Sequence, residues 1–279
     1  MPGSPGNPGN PGTVNVILGG QGLLGSALQR KLQERGEDTV VYDLKDDYDL
    51  RFQNPPAPED GREAFYWFLA WDVGGAKYIT GPESQMRILT GNLRLMERVF
   101  GWLHERKARF TFVSTQMIGY PNAYGITKLV GEYWSSLAGD DPLVARLWNC
   151  YDAEEPSKRS HVMPDLIEQG AKGAINLMTT GVERRQFLHA DDVADALIHQ
   201  RQTGQPLADI TTGQWVPILD VAHEIAKHFD ADVVPGAAEG YESLVEPKHW
   251  LDGWKPALSL EQGVERVVAR MRQHGWIGA

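Results

Sequence analysis

The chain has 279 residues, 42% of them hydrophobic and 23% charged, with a net charge of −10 at neutral pH. This balance fits a globular protein with one sizeable core or two coupled lobes. The acidic excess, with no basic stripe, argues against a nucleic-acid partner, and no apolar stretch is long enough to cross a bilayer. A single cysteine, Cys150, rules out an internal disulfide and argues against a cysteine-based zinc site, so no metal centre is expected. With no signal peptide in view, the expected location is the cytoplasm.

Residues 1–12, Met-Pro-Gly-Ser-Pro-Gly-Asn-Pro-Gly-Asn-Pro-Gly, are low in complexity and predict a disordered tail. Val14-Asn-Val-Ile-Leu18 then reads as a buried parallel strand. Glycines follow at once: Gly20, Gly22 and Gly25 fit G-x-G-x-x-G, and Gly19, Gly22 and Gly25 fit G-x-x-G-x-x-G. Residues 26–35 read as a helix, with Leu24, Leu28 and Leu32 on one stripe and Gly36 placed to end it. A strand, a glycine turn and a helix start are the context in which backbone N–H groups hold a dinucleotide pyrophosphate. The next strand, residues 39–42, ends at Asp43, where a carboxylate accepts from adenosine ribose hydroxyls and repels a 2′-phosphate. That favours NAD over NADP. Gln21 agrees, whereas Lys45 points mildly the other way.

Residues 109–113 predict a further strand, with Ser114 and Thr115 at its carboxyl end, where ligands collect in a parallel α/β sheet. Tyr124 and Lys128 then lie one helical turn apart on one face. A phenol has an ordinary pKa of about 10, and a nearby ammonium is expected to lower it. Tyr124 is thus the expected acid/base, with either Thr115 or Ser114 holding the substrate oxygen. Val130, Tyr133, Trp134 and Leu137 continue an apolar pattern along this helix. Beyond residue 151 a polar loop, a short helix at 161–168 and an amphipathic stretch at 220–229, with Val221, Ile225 and Phe229 on one side, predict a smaller lobe. Arg146, Lys158, Arg159, Arg184 and Arg185 are the candidate cations for an anionic substrate. Cys150 is read as a buried apolar residue.

Taken in order, these segments resemble the extended short-chain dehydrogenases/reductases of the NAD-dependent epimerase/dehydratase family. Ala64–Ala70 is similar to the family's fourth strand and Trp71–Gly75 to its following loop. Asn92 matches a helix asparagine that supports the active site. Arg146–Tyr151 resembles R-x-F-N-V-Y, Arg185–Ala196 resembles R-D-F-x-H-V-D-D-V-A-x-A, and Gly253–Gly263 resembles G-W-x-P-x-x-x-L-E-x-G. The resemblance implies a Rossmann-type doubly wound parallel sheet at residues 13–149. Residues 150–279 would form mainly a small substrate-binding lobe, with a segment near 185–205 returning to the sheet.

It implies cofactor contacts at Gly19, Gly22, Leu23, Leu24, Gly25, Asp43, Leu44, Asp49, Leu50, Ala70, Tyr124 and Lys128, with Asp49-Leu50 standing for the pair that follows the third strand in relatives. Lys128 would also bind the nicotinamide ribose. Substrate contacts would come from Gln116, Asn149, His161 and Arg185. The implied activity is that of an NAD-dependent nucleotide-sugar epimerase working by transient oxidation. A keto-sugar reductase, dehydrogenase or dehydratase of the same family is the alternative, and a non-catalytic dinucleotide-binding sensor or scaffold a further one. Gln116-Met117 stand where the family's dehydratases carry Asp-Glu. The stretches 43–64 and 115–124 are short. Relatives pair through the helix bearing Tyr-x-x-x-Lys, which implies a homodimer, with Leu93, Met96, Phe100 and Trp134 as candidate contacts.

Overall fold

Strand β1 (Val14–Leu18) is buried along its whole length, as its continuous apolar run requires of a strand covered on both faces. In the computed structural model, which describes residues 12–58, 61–242 and 244–278, the chain continues through α1 (Leu23–Glu34), β2 (Thr39–Tyr42), β3 (Ala64–Phe68), α2 (Ala76–Thr80), α3 (Pro82–Glu105), β4 (Arg109–Thr115), α4 (Ala123–Ser135), β5 (Leu143–Leu147) and β6 (Asn149–Tyr151). It then forms α5 (Val162–Gly170), β7 (Ala174–Asn176), β8 (Arg184–Arg185), β9 (Phe187–His189), α6 (Ala190–Thr203), β10 (Leu207–Ile210), β11 (Val216–Pro217), α7 (Ile218–Ala226), β12 (Asp232–Val234) and α8 (Leu260–Gln273). The expected disordered tail lies outside the described residues except for Gly12.

Six parallel strands form the central sheet in the order β10-β5-β4-β3-β1-β2. Because strand side chains alternate between faces, Ile17, Phe65, Trp67, Val113 and Ala145 meet α1 and α6 on one side. Val16, Leu18, Tyr66, Phe68, Phe110 and Phe112 meet α3 on the other. The chain leaves β1 to build β2 on one flank, then returns to build β3 on the other. The carboxyl ends of β1 and β3 therefore border the crevice where open α/β sheets bind ligands.

Several expected boundaries move. Helix α1 starts at Leu23, directly on the glycine turn, three residues before the predicted start. Its last carbonyls, those of Gln33 and Leu32, accept from the Gly36 and Glu37 amides, with Gly36 at φ 69°. No third strand precedes Asp49-Leu50. Among the described residues between β2 and β3 there is only a 3₁₀ turn at Leu44–Asp46, so Ala64–Phe68 is the third strand of this chain. Leu50 is nonetheless buried among β1 and α3 side chains. Met96 and Phe100 belong to the core, and Trp134 packs 5.9 Å from Phe100; of the proposed interface set only Leu93 is exposed.

A second apolar cluster joins Met163, Leu166 and Ile167 of α5, Val221 and Ile225 of α7, and Val264, Val267 and Met271 of α8. Helix α7 stops at Ala226, short of the predicted 229, yet Phe229 still packs on the same cluster. Beyond the expected return at 185–205, β10 also joins the main sheet, beside β5. No helix among the described residues is long and apolar enough to cross a membrane.

Candidate active site

The turn after β1 shows three separate reasons for glycine. Gly19 has φ 90°, and a Cβ there would lie 2.6 Å from the Ala70 nitrogen. A Cβ on Gly25 would lie 2.3 Å from the Gly19 carbonyl, and one on Gly20 would strike Val41 at 2.4 Å. Gly22 is different: its backbone is extended at φ −74°, and its nearest neighbour would be the Gly19 carbonyl at 3.4 Å, an ordinary contact. Nothing in the protein requires glycine at 22, which is what a cradle kept clear for a ligand predicts. Gly22 is also the N-cap of α1, no side chain caps that end, and its first turn carries no acid. The orphan N–H groups and the positive end of the helix dipole are thus open to an anion.

Asp43 stands at the end of β2. Its two oxygens accept from the Gln21 and Lys45 amides, each at 2.9 Å, and the Lys45 ammonium donates to the Gln21 carbonyl at 2.9 Å. Each carboxylate oxygen keeps a further lone pair for a ribose hydroxyl. Leu44 is exposed beside it. Asp49 instead accepts from Arg51 at 2.6 to 3.2 Å, and the Arg51 hydrogen bond holds its carboxyl below the usual range. Ala70 follows β3 and donates to the Leu18 carbonyl at 2.7 Å, pinning the two sides of the crevice together. The residues present therefore fit a dinucleotide.

Tyr124 sits in the first turn of α4. That turn is fixed by Asn122, whose side chain accepts from Gly125, and by Gln85 of α3, which accepts from the Ala123 amide. The short loop from β4 wraps so closely that a Cβ on Gly125 would be 2.5 Å from the Met117 carbonyl. This packing brings the phenol beside Thr115, whose hydroxyl acts on its acidity. Ser114 faces the other side of the strand, as alternation demands. It donates to Glu132 at 2.5 Å, and Glu132 accepts two further bonds from Arg146 at 2.9 and 2.7 Å.

The expectation that Lys128 lowers the pKa of Tyr124 is corrected. Burial pushes the phenol up to about 12, against the opposing hydrogen bond to Thr115. Lys128 turns inward and donates to the Val113 carbonyl at 2.6 Å, with 3% of its surface exposed. Its own pKa is driven well below the ordinary value by that burial, while Glu132 acts in the opposite direction. One of its three ammonium donors is used, leaving two.

Of the expected substrate contacts, Gln116 follows Thr115 and has a buried carbonyl oxygen with no partner. The Asn149 amide donates to Gln186 at 3.0 Å, while its side chain is half-buried. His161 caps α5 and is held by Glu154, whose carboxylate accepts from the His161 amide and lies 3.1 Å from Nδ1. Arg185 donates to the Arg184 and Tyr241 carbonyls, both at 2.7 Å. Arg184 is paired with Glu242. Burial and the charge of Asp152 push the Cys150 thiol up, away from a reactive thiolate.

Two features escaped the sequence. Asp72, in the loop after β3, accepts from Arg159 at 2.6 Å and from Tyr78 at 2.8 Å, while Asn92 bonds its backbone N–H at 2.9 Å. It thereby ties the polar loop 152–159 to the sheet. The acid of the family-like motif at 185–196, Asp191, is likewise enclosed by Arg30, Arg266 and Arg270 at 2.5, 3.2 and 2.8 Å. Asp152, His189 and Asp191 come together at metal-ligand spacing. Arg270 bonds both carboxylates, and the three arginines already supply the positive charge a cation would bring.

Comparison with known proteins agrees with this geometry. A family model described as NAD dependent epimerase/dehydratase family matches residues 69–209. A dTDP-L-rhamnose 4-epimerase of Burkholderia thailandensis is 35% identical over 175 residues, covering 54% of this chain and 47% of that protein, so the chain matches about half the length of that relative. GDP-L-fucose synthase 1 of Arabidopsis thaliana is 26% identical over 310 residues, covering 90% of each. A solved GDP-6-OMe-4-keto-L-xylo-heptose reductase from C. jejuni shares the fold, with a TM-score of 0.75 at 17% identity over 95% of this chain and 99% of the other. With half its length in the family model and the glycine cradle, Thr115, Tyr124 and Lys128 at one sheet edge, this chain belongs to the NAD-dependent epimerase/dehydratase family of enzymes.

Proposed function

We propose that this chain epimerises a secondary hydroxyl of a nucleotide-sugar, without net consumption of its dinucleotide. The observation that carries the reading is the pairing of Tyr124 with Thr115 at the end of β4, on the same sheet edge as the cradle of Gly19, Gly22 and Gly25. The similarity to a 4-epimerase supports it. Bound NAD would supply a hydride acceptor that later returns the hydride to the other face of the sugar. Leu23 and Leu24 offer backbone N–H groups to the pyrophosphate, Asp43 receives the ribose, and Leu44, Asp49, Leu50 and Ala70 line the adenosine side. Lys128 binds the second ribose. Thr115 holds the reacting oxygen; Tyr124 gives that oxygen a proton as the phenol and, in the oxidising direction, takes one only as the phenolate. Gln116, Asn149, His161 and Arg185 face the nucleotide-sugar from beyond the carboxyl edge of the sheet. We assign residues 13–149 to cofactor binding and most of 150–279 to the substrate lobe. A lone cysteine suits a reducing cytoplasm.

A homodimer is part of the same proposal. Ile126, Leu129 and Tyr133 of α4, with Leu137 just past its end, form an exposed stripe beside Met86 and Leu93 of α3. A patch of this kind is rarely left to water, and two copies would pack it as four helices.

A panel of UDP-, GDP- and dTDP-sugars, analysed by NMR after incubation with the purified chain, tests the reading. A C4-epimer formed with no net change in NADH supports it. Stoichiometric NADH or NADPH consumption with a 4-keto-sugar would instead establish a reductase. That second reading is favoured by the match to a GDP-L-fucose synthase over 90% of each protein and by a Tyr124 phenol poised to donate.

A further inference from the structure

Lys128 lies under two aromatic faces as well as a carbonyl. Its Nζ is 3.8 Å from the centroid of Trp71 and 4.8 Å from that of Phe112, and it donates to the Val113 carbonyl at 2.6 Å. Trp71 itself packs at 5.5 Å from Phe112 and 6.0 Å from Phe68, so the indole is fixed from behind. Burial disfavours an ammonium, whereas an indole face attracts one, and does so more strongly where water is excluded. We propose that Trp71 is a positioning residue whose indole face keeps the Lys128 amine charged and aimed at the cofactor ribose.

The inference rests on the reading of Lys128 as a cofactor ligand. The other groups that bear on this amine do not replace the indole. Glu132, one turn further along α4, acts on it from a distance but is tied to Arg146 of β5 and Ser114 of β4. Tyr124, one turn earlier, is held neutral. Asp72, next to Trp71, is committed to Arg159 and Arg87. Strand β4 contributes Phe112 and the Val113 carbonyl.

Calorimetric NAD titration of the full chain, with activity followed against pH, tests this in two variants. Trp71→Phe retains a π face and Trp71→Leu retains only apolar bulk. Trp71→Leu is expected to weaken NAD binding about tenfold and to move the alkaline limb of kcat to lower pH, because the less stabilised ammonium loses its proton sooner. Trp71→Phe is expected to stay within about threefold of the parent, with the limb unmoved. If Trp71→Leu does not fold, Trp71→Met takes its place. Equal behaviour of the two variants, or an unmoved limb in the aliphatic one, overturns the inference and leaves the cofactor site standing. A parent chain that binds neither NAD nor NADP overturns both.

Discussion

Thr115 acts on the acidity of Tyr124 in the first turn of α4, while its neighbour Ser114 donates to Glu132 two turns further along the same helix. The two hydroxyls are adjacent in sequence and opposite in function. Thr115→Val is expected to lower kcat by about ten- to a hundredfold, and Tyr124→Phe by about a hundredfold or more, with NAD affinity unchanged in both. Ser114→Ala should retain kcat within a few-fold and lose about 1 kcal/mol of stability, since Arg146 still pairs with Glu132. Steady-state kinetics beside urea melts separate the outcomes. A larger kcat loss in Ser114→Ala than in Thr115→Val would reverse the assignment.

The glycine turn predicts opposite penalties at two positions. Gly22→Ala meets no protein atom closer than 3.4 Å; it should leave the thermal midpoint unchanged and weaken NAD binding at least about tenfold. Gly25→Ala overlaps the Gly19 carbonyl at 2.3 Å and should cost about 2 kcal/mol of stability. Thermal melts and NAD titrations on both proteins check the pair.

Cofactor choice should turn on Asp43. Asp43→Asn keeps an acceptor for the Gln21 amide and removes the charge that opposes a 2′-phosphate, with Lys45 alongside. The ratio of NADP to NAD affinity is expected to rise about tenfold or more. An unchanged ratio in competitive titrations would place the ribose elsewhere.

Acid should unfold the protein in two stages. Burial holds the folded-state pKa of His189 below its ordinary value, despite Asp152 and Asp191. The stability this imidazole contributes is present above its unfolded pKa and is lost as pH falls below it. For Asp191, burial favours the neutral acid, but Arg30 and Arg270 outweigh it and bring the carboxyl down to about 2. Its contribution is present above the unfolded value and is lost as pH falls toward 2. His189→Asn, which keeps an acceptor for the Asp191 amide, should flatten the dependence as pH falls through and below the ordinary imidazole range and leave the lower stage. Urea unfolding at a series of pH values resolves the two.

The exposed α4 stripe predicts an oligomer. Leu129→Glu with Tyr133→Glu places charge on residues that are 48% and 70% exposed and should spare the fold. Sedimentation should find the parent as a dimer and the double variant as a monomer. Identical mass in both would remove the stripe from the interface.

The sequence made the cradle legible because strand, turn and helix are contiguous there, so each glycine could be read against its neighbours. Asp43 and the Tyr124–Lys128 spacing were legible for the same reason. The direction of the Lys128 side chain was not: the Trp71 face that receives it lies 57 positions earlier, and helical spacing fixes a side chain's starting point without fixing its target. The choice between Ser114 and Thr115 needed the register of β4 against α4. The shortness of 43–64 points to a missing helix, but the loss of the third strand was not legible there, because Asp49-Leu50 is placed only by analogy with chains that possess it. Asp72 and Arg159 are 87 residues apart, and no local pattern announces such a pair.

Helix α1 begins at the cradle, and two turns along it Arg30 meets carboxylates that are also gripped by Arg266 and Arg270 of α8. Helices α1 and α8 are therefore stitched through a shared knot of charge. A ribosome that has not yet released residues 260–273 presents a chain in which Asp152 and Asp191 lack two of their three counter-charges, and carboxylates in that condition resist being sealed from water. Final closure around α1 must wait until α8 has been made, and a nascent chain arrested before α8 should remain open to proteolysis even though every residue of the nucleotide-binding turn has already been made.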